Sequence, residues 1–281
     1  MWRRTRVIVL CTCVCTLHAA APSSTYTYTT LDGRAYKIND SGDIVGEFGS
    51  RGYIYRDGVS VTIDVPGADG TVCAGINNAG QVVGRFSNSS GQHAFVLSHG
   101  VFTTFDVPGA GTPSGAATGA SDINGAGQIV GSFDSTTGLH GFLYDDGTFT
   151  IIDFPGSNST QLTGINDAGD IVGVAGFPGG GGHGFLYRNG TFVQLDNPFA
   201  TPLSTTPNGI NNRGEIVGYF DYQGAARAFV YSAGVYTTME LPPDADQQFA
   251  NGINTAGRIV GHYHGAGGEP GFLATRVPGQ R

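Results

Sequence analysis

The 281-residue sequence carries 22 acidic against 14 basic side chains, a formal net charge of -8, with 47 glycines, 40% hydrophobic residues and 11% aromatics. An acidic chain is a poor partner for nucleic acid or an anionic membrane surface. That much apolar and aromatic content excludes a disordered chain despite the glycine.

In chain order, MWRRTRVIVLCTCVCTLHAAA places Arg3, Arg4 and Arg6 ahead of a short apolar run that ends in small residues at 19–21. This is the pattern of a secretory signal peptide over residues 1–21, too short to anchor in a bilayer. Its removal takes the formal charge from -8 to -11 and leaves Cys73 alone of four cysteines, so no internal disulfide is expected. No later stretch is apolar for long enough to cross a membrane. Residues 22–276 are expected to form one secreted, monomeric domain, extracellular, surface-bound or periplasmic, followed by a short tail at 277–281.

The exported segment opens with TYTYTTLD, which matches GVFTTFD and GTFTIID further on, with Asp32 in the place of Asp106 and Asp153. One unit then recurs six times. Ile-Asn pairs place Asn at 39, 77, 124, 166, 211 and 254, at spacings of 38, 47, 42, 45 and 43 residues. Each Asn is followed three residues later by Gly and then by an aliphatic-Val-Gly triplet, as in GINDAGDIVG at 164–173. A small residue and an aromatic come next, then Gly, then an acid at Asp64, Asp106, Asp153, Asp196 or Glu240. Short segments rich in Val, Ile, Phe, Tyr and Thr, bounded by Gly, Asn and Pro and lacking a helical period, are β-strands. In the second unit these are the run into Ile76, then 81–86, 93–97 and 101–107.

Four antiparallel strands per unit, repeated six times, predict an all-β fold, a six-bladed β-propeller. The last unit stops at GFLATR with no fourth strand. The N-terminal strand is therefore expected to complete that blade, close the ring and remove an open edge.

The units resemble the HAF family of bacterial extracellular repeats, in which a His-Ala-Phe motif follows a GIN-x-x-G-x-[IV]-V-G stretch. His93-Ala94-Phe95 is the literal motif, His140-Gly141-Phe142 and His183-Gly184-Phe185 are close variants, and the likeness runs from about residue 25 to 276. Family units usually continue to Leu-Trp, where Tyr144, Tyr187 and Tyr231 stand here. The resemblance implies an exported or surface protein and brings no established reaction.

Among the repeated residues, Asn at the first and Gly at the fourth position suit a tight turn, so the six Asn read as structural. The Gly after each Ile-Val or Val-Val pair marks close backbone approach or a bulge. The six acids end outermost strands and should diverge around the rim, whereas a cation needs converging oxygens. His93, His140 and His183 share a position filled elsewhere by Arg51, Arg227 and Pro270, so no ligand role common to all units is expected there. In His262-Tyr263-His264 two imidazoles share a strand face and could chelate a metal, but no third ligand is near. No metal site and no cofactor are therefore assigned. Cys73 aligns with alanines and reads as a small buried filler. The aromatics at 48, 86, 133, 220 and 263 read as core between units. No nucleophile elbow, HExxH or phosphate-cradling loop appears.

Connection lengths separate two faces. The Asn turn and the turn between strands three and four are constant in length. From Gly to aromatic across the loop joining strands two and three the spans are 7, 11, 11, 12, 11 and 11, and from acid to Asn they are 7, 13, 18, 13, 15 and 14. Both variable connections emerge on one face, where binding is usually built on a fixed scaffold. Near the channel mouth, Lys37 and Asp122 replace the usual Gly ahead of Ile-Asn, with Ser121, Thr163, Asn208 and Asn251 beside them. These six are the candidate small-ligand site, although the general exposure of charged side chains favours Lys37 and Asp122 as solvated loop residues. The expectation is a non-enzymatic module that binds polysaccharide or an envelope protein. The alternative is an extracellular carbohydrate-active hydrolase or lyase with its site at the channel mouth.

Overall fold

The computed structural model describes residues 23–111, 116–178, 181–201 and 204–277. The expected signal peptide lies outside the described residues. Those described form twenty-five β-strands and no helix, and so include no helix long and apolar enough to cross a membrane.

In the second unit Gly70–Ile76, Val82–Asn88, Gly91–Ser98 and Val101–Phe105 pair in sequence order, each antiparallel to the next. The same order joins Arg34–Ile38 through Val59–Ile63, Ala116–Ile123 through Thr148–Ile151, Ser159–Ile165 through Thr191–Leu195, and Thr205–Ile210 through Val235–Met239. Parallel bridges of one or two residue pairs stitch the second, third and fourth units into a continuous sheet. The last unit supplies Ala245–Ile253, Ile259–Gly265 and Gly271–Arg276. Its fourth place is taken by Tyr26–Leu31, in antiparallel register from Tyr26 opposite Arg276 to Leu31 opposite Gly271.

Neighbouring units pack face to face. Val45 and Ile63 of the first unit meet Cys73, Val82, Phe86 and Phe95 of the second. Val260 of the last unit packs with Ile38 and Ile44 of the first. Within the second unit a glycine makes room for its neighbours: a Cβ on Gly84 would lie 1.9 Å from the Val72 carbonyl oxygen and 3.0 Å from the Phe95 ring. Strand one carries a bulge opposite that glycine, between Cys73 and Gly75. The Cys73 thiol is fully buried, and burial pushes it up to about 12, which suits a filler and not a nucleophile.

The Asn turns form as expected and do more. Asn166 Oδ1 accepts from the Ala168 and Asp170 amides at 3.1 and 2.9 Å, and Gly169 follows at φ +78, a conformation that favours glycine. The Asn166 amide nitrogen then donates to the Asn211 carbonyl of the next unit at 3.2 Å. The same bond runs from Asn39 to Asn77, Asn77 to Asn124, Asn124 to Asn166, Asn211 to Asn254, and Asn254 back to Asn39. Six turns are thus also six links of one cycle.

One expected core residue is not core. Phe86, Phe133 and Phe220 are 8%, 7% and 2% exposed, whereas Phe48 is 67% exposed. The others lie under their own connections: Val65 and Ala68 pack on Phe86, Val107 and Ala110 on Phe133, and Phe199 and Ala200 on Phe220. The seven-residue connection from Asp32 to Asn39 supplies no such cover.

Candidate functional site

Just before each Asn turn the innermost strands converge so closely that side chains hardly fit. A Cβ on Gly75 would lie 2.7 Å from the Asp122 Cα, and one on Gly252 would lie 2.9 Å from the Lys37 Cα. Lys37 and Asp122 occupy the space that glycines leave in the other four units. Lys37 Nζ donates to Asp122 Oδ2 at 2.9 Å and to the carbonyls of Thr163 and Asn208 at 2.8 Å each. Those three bonds use all of its protons. Asp122 Oδ2 also accepts from the Ile165 amide at 3.2 Å, and Oδ1 accepts from the Ile123 amide at 3.0 Å.

Both side chains are buried, which corrects the reading of them as solvated loop residues. Charges brought into a converging inner ring persist only when paired and hydrogen-bonded. Burial pushes the Asp122 carboxyl up, while the Lys37 charge and the bonds it receives pull it down.

Lys37 floors a cavity of about 160 Å³ lined by Tyr36, Ala74, Ser121, Thr163, Asn208 and Asn251, one from each unit, together with Arg85 and Gln161. All six sequence-predicted residues are therefore brought together around this axis. Their polar atoms mostly serve the neighbouring unit: Thr163 Oγ1 donates to the Pro207 carbonyl at 2.7 Å, Asn208 Nδ2 to the Ala250 carbonyl at 3.0 Å, and Asn251 Nδ2 to the Ala35 carbonyl at 2.8 Å. Beyond Lys37 lies a smaller cavity of about 70 Å³ bounded by the Asn cycle.

The pair His262 and His264 does share a face, with ring centroids 6.1 Å apart. Each is already engaged. His262 stacks on Phe249 and its Nδ1 sits 3.0 Å from Asn251 Nδ2, while His264 Nε2 lies 3.2 Å from Glu269 Oε1. Burial holds the His262 imidazole down at about 4, so it is neutral at ordinary pH. Among the described residues no cluster of three or more His, Cys, Asp or Glu is placed to hold a metal ion.

A second arrangement escaped the sequence. The strand-four acids do not simply face solvent: His93 Nδ1 meets Asp106 at 2.8 Å, His140 Nδ1 meets Asp153 at 2.7 Å, His183 Nδ1 meets Asp196 at 3.0 Å, and Arg51 pairs with Asp64 at 3.1 Å. On the other side of the ring, His93 Nε2 lies 2.9 Å from Ser90 Oγ, and His140 Nε2 lies 2.8 Å from Thr137 Oγ1. These are hydroxyl–imidazole–carboxylate distances, the spacing that nucleophilic catalysis also uses.

The hydroxyls are tied to their own hairpins, however. Ser90 Oγ lies 2.7 Å from Asn88 Oδ1, and Thr137 Oγ1 lies 2.7 Å from Ser135 Oγ. The imidazoles pack over strand-two aromatics, His93 on Phe86 at 5.2 Å and His140 on Phe133 at 5.4 Å between centroids. Each histidine is a lid over a core aromatic, held shut by an acid thirteen residues on. That regular thirteen-residue offset was the available sequence signal.

No protein-family model matches the sequence, and no curated protein matches it. Among solved structures the chain is similar to a gluconolactonase of Xanthomonas campestris, at 13% identity over 90% of each chain with a TM-score of 0.54. It is similar to the SapL1 lectin in complex with alpha methyl fucoside, at 11% identity over 91% of this chain and 96% of that one with a TM-score of 0.54. It is also similar to TolB of Acinetobacter baumannii, at 15% identity and a TM-score of 0.50, covering 79% of this chain and 54% of that one. The chain thus spans about half the length of TolB. At such identities the likeness shows the fold alone, all-β and propeller-like.

Proposed function

We propose that the chain is an exported six-bladed β-propeller of HAF repeats, its ring closed by the N-terminal strand, that binds extracellular carbohydrate on its variable face without transforming it. The fold leaves binding and hydrolysis equally open, because function resides in sites grafted onto folds. The observation that carries the reading is the axial ion pair. Every Lys37 proton and both Asp122 oxygens are committed to the scaffold, so the one charged pair at the channel mouth ties strands together and has no proton to exchange with a substrate. The variable loops at the other end of the axis are rich in Gly, Pro, Ser and Thr, which suit hydrogen-bonded contact with hydroxyls. The Asn cycle, the pairing of Tyr26–Leu31 with the last unit and the packing of Val260 on Ile38 support the closed ring.

The test is a panel of neutral and acidic polysaccharides incubated with the protein lacking residues 1–21, with retention and released product read from the same samples. Retention without product is expected. Product formation that Lys37→Ala or Asp122→Ala abolishes, with folding intact, would instead establish a channel-mouth enzyme.

A further inference from the structure

The two variable connections are both shortest at one place. The loop from Gly46 to Tyr53 spans seven residues against eleven or twelve elsewhere, and the link from Asp32 to Asn39 spans seven against thirteen to eighteen. Both border the seam between the last unit and the first. There the walls of the variable face are missing, and a cleft of about 530 Å³ opens, within the range of small-molecule sites.

The lining of this cleft is specific. Phe48, covered at its counterparts in other units by a connection and in two of them also by a histidine, here presents its ring to solvent. Arg51 stands in place of the lid histidine and pairs with Asp64 at 3.1 Å. Opposite Phe48, the Arg34 guanidinium donates through Nε to Glu269 Oε2 at 2.9 Å and through a second nitrogen to the same oxygen, and it reaches Glu47 Oε1 at 3.4 Å. Glu47 is fixed further by the Tyr36 hydroxyl at 2.6 Å, and Glu269 by His264 at 3.2 Å. Arg34 holds the Glu269 carboxyl below the usual carboxylate range. With Asp32 also on the wall, the cleft carries three carboxylates against one guanidinium.

We propose that this seam cleft is the glycan-binding site, taking one neutral hexose or deoxyhexose residue with its apolar face on Phe48 and its hydroxyls on the Glu47–Arg34–Glu269 network. The proposal rests on the carbohydrate-binding reading above and adds where and which class. Planar charged groups already locked by one another offer hydroxyls strong bonds without losing further freedom. An exposed aromatic ring supplies apolar contact area at little entropic cost. The excess of carboxylates disfavours uronic acids and sulfated sugars, because like charges confined in a cleft repel.

Saturation-transfer NMR and titration calorimetry with the methyl glycosides of glucose, galactose, mannose and fucose, with glucuronate and galacturonate as charged controls, test this. At least one neutral glycoside should bind and neither uronate should. Phe48→Ala should weaken that binding about tenfold or more with an unchanged melting temperature, since its ring is exposed. Glu269→Gln should weaken it as well. Neutral-sugar binding that both variants leave unchanged would overturn the seam site while sparing the carbohydrate-binding reading. Uronate binding at equal affinity would overturn the charge argument. Absence of binding to every glycoside and to the polysaccharide panel would overturn both readings.

Discussion

Asn166→Ala removes one link of the cycle that joins the units. The side chain makes four hydrogen bonds: two accepted from the Ala168 and Asp170 amides, one donated to Asp170 Oδ2 at 3.3 Å, and one donated to the Asn211 carbonyl at 3.2 Å. The Asn211 carbonyl keeps a second partner in the Gly214 amide at 3.0 Å, so it is not orphaned. At about 0.5–1.5 kcal/mol net per bond, with the long bond to Asp170 discounted, the loss comes to about 2–4 kcal/mol. For a domain of this size that is a fall of roughly 4–8 °C in melting temperature. Asn166→Asp keeps both accepted bonds but turns an oxygen toward the Asn211 carbonyl and the Asp170 carboxylate. It should be at least as damaging at neutral pH and less so in acid, where the new carboxyl protonates. Thermal unfolding followed by circular dichroism at two pH values reads both. If Asn166→Ala melts within about 2 °C of the parent, the amide contributes only a local turn and the cycle does not hold units together.

Lys37→Ala should cost about 3–5 kcal/mol, because it leaves Asp122 buried without its counter-ion. The double replacement Lys37→Gly with Asp122→Gly, which copies the four glycine-bearing units, should cost clearly less, and denaturant midpoints decide between these outcomes. His262 gives a signed pH dependence. Its folded value of about 4 lies below its unfolded value of about 6.5, so the unfolded chain binds the proton first. Stability is full above about pH 6.5 and falls by up to about 3 kcal/mol as pH drops toward 4. His262→Gln should flatten that part of the profile, and an unaltered slope in the variant would assign the loss to other groups.

Much of the scaffold was legible in the sequence because its signals are local. A Gly at the fourth turn position, alternating short apolar strands and a fixed offset from aromatic to Gly all act within about ten residues, and Val82–Asn88 and Gly91–Ser98 appear within a few residues of where the pattern puts them. What escaped is what crosses between units. The Asn turn is visible in six letters, but its bond to a carbonyl 45 residues on is not. Lys37 and Asp122 are 85 residues apart, and average exposure misplaced them because only the converging inner strands make them partners. Phe48 was misplaced for the opposite reason. Its alternating pattern is that of Phe86, yet what buries Phe86 is the length of a connection that the first unit lacks. The two sevens in the connection lengths held that information, and their meaning depends on both falling at one seam.

Hydrogen–deuterium exchange of the chain lacking residues 1–21, with and without whichever neutral glycoside binds, locates function most directly. Slowed exchange in peptides covering residues 30–34, 46–51 and 265–270, with the axial residues 120–123 and 161–165 unchanged, is the predicted result. Protection centred on the axial segments, or on the Asn turns of the opposite face, would contradict it.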